Sequence, residues 1–185
     1  MKILGGKLKG RNIYMPFGIR PTQNIVRKAL FDVLGQDLEG LAFLDLFAGS
    51  GAVGLEAISR GAKAISFVDH DPKCIKVIED NIHLLKIDSL MSISYEVIHN
   101  DALGTIKYLA RKQRKFDIIF IDPPYGLELS KKALKLLMAY DILHPASFVV
   151  IQHEKRETLP ESTGRFLVLR EKQYGNSVLS IYKLI

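Results

Sequence analysis

From Leu41 onward, short apolar runs of strand length alternate with stretches whose apolar positions recur every three or four residues. A period of two marks a pleated strand, and a period of about 3.6 marks one face of a helix. The runs predict strands over Ala42–Leu46, Ala64–Asp69, Ser92–Ile98, Phe116–Ile121 and Ser147–His153. Two more, Arg165–Arg170 and Ser177–Leu184, lie around a Tyr174-Gly175-Asn176 turn and predict an antiparallel pair. Helices fit at Gly54–Ser59, Pro72–Leu85, Leu103–Arg111 and Leu129–Tyr140. Such alternation signals an α/β fold, a mostly parallel sheet with helices on both faces. Earlier in the chain, Gly5-Gly6 and Gly10 punctuate two short apolar stretches and predict a small β-hairpin. Pro21-Thr22 then precedes a helix with one apolar face made of Ile25, Val26, Ala29, Leu30, Phe31 and Leu34. The chain accordingly divides into an N-terminal hairpin and helix, residues 1–40, and a sheet domain, residues 41–185.

Length and composition narrow the class. The 185 residues, 48% of them hydrophobic, suffice for one ordinary core and argue against disorder. No apolar run is long enough to cross a bilayer, and Met1-Lys2-Ile3-Leu4 running into Gly5-Gly6-Lys7 is not the form of a secretory leader. A single cysteine, Cys74, precludes an internal disulfide and fits a reducing cytoplasm, with a half-buried filler as its expected role. The five histidines show no metal-ligand spacing, so no metal is expected.

Charge is distributed unevenly. Residues 1–31 contain no Asp or Glu but hold Lys2, Lys7, Lys9, Arg11, Arg20, Arg27 and Lys28. That segment carries +7 within a net charge of +6, so the remainder is close to neutral. A basic arm on a neutral body suits a phosphate-backbone partner, the alternative being a solvated basic face.

Candidate chemistry begins at Asp45-Leu46-Phe47-Ala48-Gly49-Ser50-Gly51, which closes the first sheet strand and opens a helix. Glycines allow a sharp turn and close backbone approach to a ligand, and the helix start presents free N–H groups. Gly49-x-Gly51-x-x-Gly54 satisfies the dinucleotide fingerprint, and Asp69 at the second strand end can accept ribose hydroxyls. On this loop alone NAD and S-adenosylmethionine both fit. Asp45 favours the second, because a carboxylate there can orient the loop or meet an ammonium group but would repel a pyrophosphate. Asp101, ending the third strand, can accept from an adenine amine or cap the following helix.

The fourth strand delivers Asp122-Pro123-Pro124-Tyr125 at its carboxyl end, the edge where ligands gather in open α/β sheets. Pro123 and Pro124 lack N–H groups, so the turn offers acceptors without backbone donors. An exocyclic aromatic amine is a pair of donors with a lone pair drawn into its ring. The Asp122 carboxylate and the Pro123 carbonyl can hold both hydrogens and aim that lone pair, while Tyr125 stacks on the base. A guanine N2 and an adenine N6 fit this turn equally well.

These residues resemble the RsmD family of bacterial 16S rRNA guanine-N2 methyltransferases over essentially the full length. The likeness rests on Gly6-Lys7-Leu8-Lys9-Gly10-Arg11, Arg20-Pro21-Thr22 with Val26-Arg27-Lys28-Ala29-Leu30-Phe31, Phe43-Leu44-Asp45-Leu46-Phe47-Ala48-Gly49-Ser50-Gly51, Phe67-Val68-Asp69, Asp122-Pro123-Pro124-Tyr125 and Tyr174-Gly175. It departs from the family at Asn24-Ile25, where an Asp-Arg pair is expected.

The resemblance implies a class I S-adenosylmethionine-dependent methyltransferase (Rossmann-like) fold with a seven-stranded sheet ending in an antiparallel hairpin. It implies methyl transfer to the N2 amine of one guanine of 16S rRNA within a small-subunit assembly particle, by a cytoplasmic monomer. Asp122, Pro123, Pro124 and Tyr125 become the expected catalytic residues. Asp45, Phe47, Ala48, Gly49, Ser50, Gly51, Asp69, Asp101 and Thr22 become the expected cofactor residues. Lys7, Lys9, Arg11, Arg20 and Arg27 are the expected RNA contacts. Arg111-Lys112-Gln113-Arg114-Lys115 reads as a structural cluster or a distant RNA contact, and Lys131, Lys132 and Lys135 as phosphate contacts or a solvated face. Competing readings are an adenine-N6 or cytosine-N4 DNA methyltransferase, a glutamine-N5 protein methyltransferase, an NAD-dependent oxidoreductase and a non-catalytic RNA-binding module.

Overall fold

The structure, a computed structural model, describes residues 1–18 and 24–185. After α1 (Asn24–Leu34), strands and helices alternate: β1 (Ala42–Asp45), α2 (Ala52–Ser59), β2 (Ala64–Asp69), α3 (Pro72–Leu84), the single turn α4 (Ile87–Leu90), β3 (Ser94–His99), α5 (Ala102–Arg111), β4 (Phe116–Ile121), α6 (Leu129–Ala139) and β5 (Leu143–Glu154). The chain ends in β6 (Ser162–Thr163), β7 (Phe166–Tyr174) and β8 (Ser177–Leu184). All eight strands form one sheet in the order β3-β2-β1-β4-β5-β8-β7-β6. The first five are parallel, and β8 enters antiparallel beside β5 with β7 outside it. This is a class I methyltransferase fold. It has one strand more than the expected seven, because Ser162–Thr163 adds a two-residue edge against β7.

Strand alternation divides the core into two layers. Phe43, Phe67, Ile118, Phe120, Val150, Leu179 and Ile181 face α1, α2 and α3. Leu44, Val68, Ile119, Ile121, Val149, Ile151 and Tyr182 face α5 and α6. The helices contribute Leu30, Leu55 and Ile78 to the first layer and Ile106, Leu109 and Leu137 to the second. Among the described residues, no helix is long and apolar enough to cross a membrane.

Differences from the sequence pattern are local. β3 starts at Ser94 rather than Ser92, and β5 begins four residues earlier than expected, at Leu143. The predicted N-terminal hairpin reduces, among the described residues, to one antiparallel bridge between Lys2 and Asn12. Its loop bonds tightly to α2 instead: Lys7 N–H donates to Ser59 O (2.7 Å) and Leu8 N–H to Ser59 Oγ (2.8 Å). Gly6, at φ +71°, passes so close that a Cβ would lie 1.9 Å from the Ser59 carbonyl oxygen. Ile3, Leu8 and Ile13 join the same core layer as α2.

Candidate active site

Four strands end alike on the face that carries the first core layer. Two residues beyond its last apolar side chain there, each strand presents a polar one: Asp45 after Phe43, Asp69 after Phe67, Asp122 after Phe120, Gln152 after Val150. Antiparallel β8 presents Ser177 before Leu179, so its start meets the carboxyl ends of the others. The period of two that builds the core therefore sets a polar row where the core stops. That row lines a cavity of about 370 Å³, closed by Phe47, Ala48, Gly49 and Ser50 of the glycine loop and by Met15 of the N-terminal segment. The size suits a nucleoside-sized ligand.

The loop is held by backbone and carboxylate together. Leu46 N–H donates to Phe120 O (3.0 Å) and Ala48 N–H to Val68 O (2.9 Å), tying the loop to the neighbouring strands. Asp69 Oδ2 accepts from Gly49 N–H (2.8 Å), while Asp69 Oδ1 accepts from Asp71 N–H (2.9 Å). Asp45 Oδ2 accepts from Gly54 N–H (3.1 Å). The glycines divide their roles. Gly49, at φ +54°, has open space where a Cβ would stand, whereas a Cβ on Gly54 would lie 2.3 Å from the Phe67 ring. Gly49 leaves room beside the cavity, and Gly54 lets α2 pack on β2.

Electrostatics at the row favour a cation. Asp45 is fully buried and its pKa is pushed up to about 8, chiefly by desolvation, against the opposing Gly54 N–H, with the Asp122 and Asp69 carboxylates adding repulsion. Its Oδ1 has no hydrogen-bond partner. Cys74 also lines the cavity. Burial and the nearby Asp69 and Asp71 push its thiol up to about 12, which keeps it neutral and unreactive.

Asp122, Pro123, Pro124 and Tyr125 form the opposite wall. Pro123 is buried, and Tyr125 is 37% exposed at the rim. The Tyr125 hydroxyl is hydrogen-bonded to Ser177 Oγ (2.6 Å) at the start of β8, which fixes the ring. The wall thus offers a carboxylate, proline carbonyls and a positioned aromatic face beside a carboxylate-lined cavity.

The family described as conserved hypothetical protein 95 matches residues 1–183. Ribosomal RNA small subunit methyltransferase D of Haemophilus influenzae is 32% identical over 187 residues, covering 99% of this chain and 93% of that protein. The chain belongs to the RsmD family. YlbH of Bacillus subtilis is 35% identical over 185 residues, covering 99% of this chain and 98% of its own. The solved Escherichia coli structure of yhhF superposes with a TM-score of 0.84 at 30% identity, covering 100% of this chain and 97% of that one.

The structure sorts the residues this RsmD-family chain was expected to use. Asp45, Phe47, Ala48, Gly49, Ser50 and Asp69 meet Asp122, Pro123, Pro124 and Tyr125 around one cavity. Gly51 instead caps α2, its missing Cβ making room for Ile78 and Phe67. Asp101 is exposed, lies outside the cavity lining and accepts from Gly104 N–H (2.8 Å), so of its two readings it fills the helix cap. Arg27 is corrected as an RNA contact, because its side chain is fully buried. It donates to Lys2 O (2.9 Å) and Asn24 Oδ1 (2.7 Å) and lies 3.6 Å from Glu56. Arg60 completes this buried group with a 2.8 Å bond to Glu56. Lys7, Lys9 and Arg11 are exposed together on the tight N-terminal loop, whereas Arg20 and Thr22 lie outside the described residues. Arg114 pairs with Glu96 and Lys115 with Asp141, so half of that basic cluster serves the sheet edge.

Sequence reasoning missed Gln152, Ser177 and Met15. Gln152 and Ser177 follow the same alternation as the aspartates, and that shared phase was the available signal. Met15 had none, since Asn81 brings it in from outside the sheet. The buried Asn81 amide donates to Tyr14 O (3.1 Å) and Ser50 O (3.0 Å), and its Oδ1 accepts from Tyr14 N–H (2.6 Å).

Proposed function

We propose that this RsmD-family chain is an S-adenosylmethionine-dependent rRNA methyltransferase acting on the N2 amine of one guanine in 16S rRNA. The observation that carries the reading is the row of Asp45, Asp69 and Asp122 in one cavity beside the Asp122-Pro123-Pro124-Tyr125 turn. Carboxylates in a shielded cavity attract an ammonium and a sulfonium and repel the pyrophosphate of a dinucleotide, which disfavours the oxidoreductase reading. When bound, the cofactor supplies an electrophilic methyl group.

The chain's own residues do the rest. Asp45 and the glycine loop hold the cofactor's charged end, and Asp69 fixes the loop while remaining in reach of a ribose. Asp122 and the Pro123 carbonyl accept the two amine hydrogens and turn the nitrogen lone pair toward the methyl carbon. Asp122 or water would take up the proton that the amine gives up on methylation. Alignment in a closed cavity supplies most of the rate.

Residues 1–40 contact the RNA through Lys7, Lys9 and Arg11, joined by Arg20 on the strength of resemblance, with Thr22 near the cofactor. Residues 41–185 carry out the transfer, and the protein works as a monomer in the cytoplasm on a small-subunit assembly particle. Mass-spectrometric mapping of rRNA from cells lacking the protein tests this. One N2-methylguanine should be missing and be restored by purified protein. Loss of an N6-methyladenine instead, or of a methyl mark on DNA, would overturn it.

A further inference from the structure

The cavity holds a polar group that cofactor and amine leave unused. Gln152 is 5% exposed, it lines the cavity, and its Oε1 is buried without a hydrogen-bond partner. Among the described residues, only Asp45 and Gln152 combine an unpaired buried polar atom with a place in this lining. Asp45 is accounted for by a cationic ligand. A buried acceptor without a donor is costly and rare, so Gln152 calls for a partner that arrives from outside.

Position says what kind. Ile121 pairs with Ile151 between β4 and β5, so Gln152 lies one strand across from Asp122 at the same level of the sheet. On its other side β5 pairs with β8, which carries the Ser177 that holds Tyr125. Gln152 therefore stands between the strand that carries the amine-holding carboxylate and the strand whose Ser177 holds Tyr125, in the lining they share. The terminal amide torsion is broad and turns readily toward the edge of a base bound there.

We infer that Gln152 selects the base by accepting the ring N1–H of guanine while Asp122 accepts from the N2 amine. This rests on the guanine-N2 reading. Guanine carries a ring N–H donor immediately beside its amine-bearing carbon. In adenine and cytosine the corresponding ring nitrogen is an acceptor. Two neighbouring acceptors, Asp122 and Gln152, thus match two neighbouring donors found together on guanine alone. A site built to accept a hydrogen bond rejects an analogue that lacks the donor, because the buried acceptor is left unpaired.

The test uses small-subunit RNA ligated to carry either guanine or 2-aminopurine at the mapped position. The analogue keeps the 2-amine but has no hydrogen on N1. The unmodified protein should prefer guanine on the order of tenfold or more in kcat/KM. Gln152→Leu should reduce that ratio to near unity, and Gln152→Glu, which keeps an acceptor, should preserve it. S-adenosylhomocysteine affinity should be unchanged in Gln152→Leu. A Gln152→Leu variant that still prefers guanine as strongly would overturn the inference, as would a Gln152→Glu variant that loses the preference while binding cofactor normally. Failure of the unmodified protein to methylate guanine N2 in any RNA would instead overturn the reading beneath it.

Discussion

The Asp45, Asp69 and Asp122 carboxylates share one cavity and repel one another, and Asp45 shows the consequence. Its folded-state pKa of about 8 stands above its ordinary value of 3.8, so the fold favours the neutral acid. Stability from this group is full below the ordinary value and is lost as pH rises toward 8. A cationic ligand reverses the preference, because it favours the carboxylate. S-adenosylmethionine binding should therefore strengthen as pH rises toward 8 and then level off, and calorimetry in two buffers should show proton release. Asp45→Asn should flatten that dependence and raise the melting temperature of the free protein at neutral pH. Asp122→Ala is expected to leave S-adenosylhomocysteine affinity within a few-fold yet abolish methyl transfer, and parallel loss of both would make Asp122 structural. Asp69→Ala removes the acceptor of Gly49 N–H and orphans a loop donor. That should weaken cofactor binding by about 1–3 kcal/mol, roughly five- to 150-fold, which equilibrium titration would read directly.

Among the elements, the sheet strands and the helices between them were legible because each buries a face with its own period. Other features were legible only in part or not at all, each for a tertiary reason. Arg27 looks like one more cation in a basic arm, but its burial depends on Glu56 of α2, far along the chain. Asp101 looked able to serve the cofactor because it follows β3, yet its carboxylate is spent on the start of α5. Ser177 joins the site only because β8 runs antiparallel and starts at the edge where the other strands end. Met15 is delivered by Asn81, a helix residue whose polarity on a buried face carries no direction in the sequence. The Glu56 group is a buried clasp between α1 and α2. Glu56→Ala would strand Arg27 and Arg60 in the core and should cost about 3–5 kcal/mol in chemical denaturation. An unchanged midpoint would show that the two arginines find water or other partners.

On the scale of the whole molecule, charge and fold point the same way. The sheet domain is nearly neutral, and the exposed cations Lys7, Lys9 and Arg11 project from a loop clamped to α2. Replacing all three with alanine should lower RNA affinity and reduce its log–log salt slope by about 2–3, with cofactor binding untouched. A flat salt profile in the unmodified protein would remove the basis for an electrostatic RNA contact.

Asn81 ties that same N-terminal segment to the glycine loop, through Tyr14 on one side and Ser50 on the other. On the proposed reading of this segment as the RNA contact, any coupling carried by the clamp must be reciprocal, the cofactor changing RNA affinity by the same factor as RNA changes cofactor affinity. On that reading, Asn81→Ala should set both affinities at their independent values, which titrating cofactor with and without RNA would read.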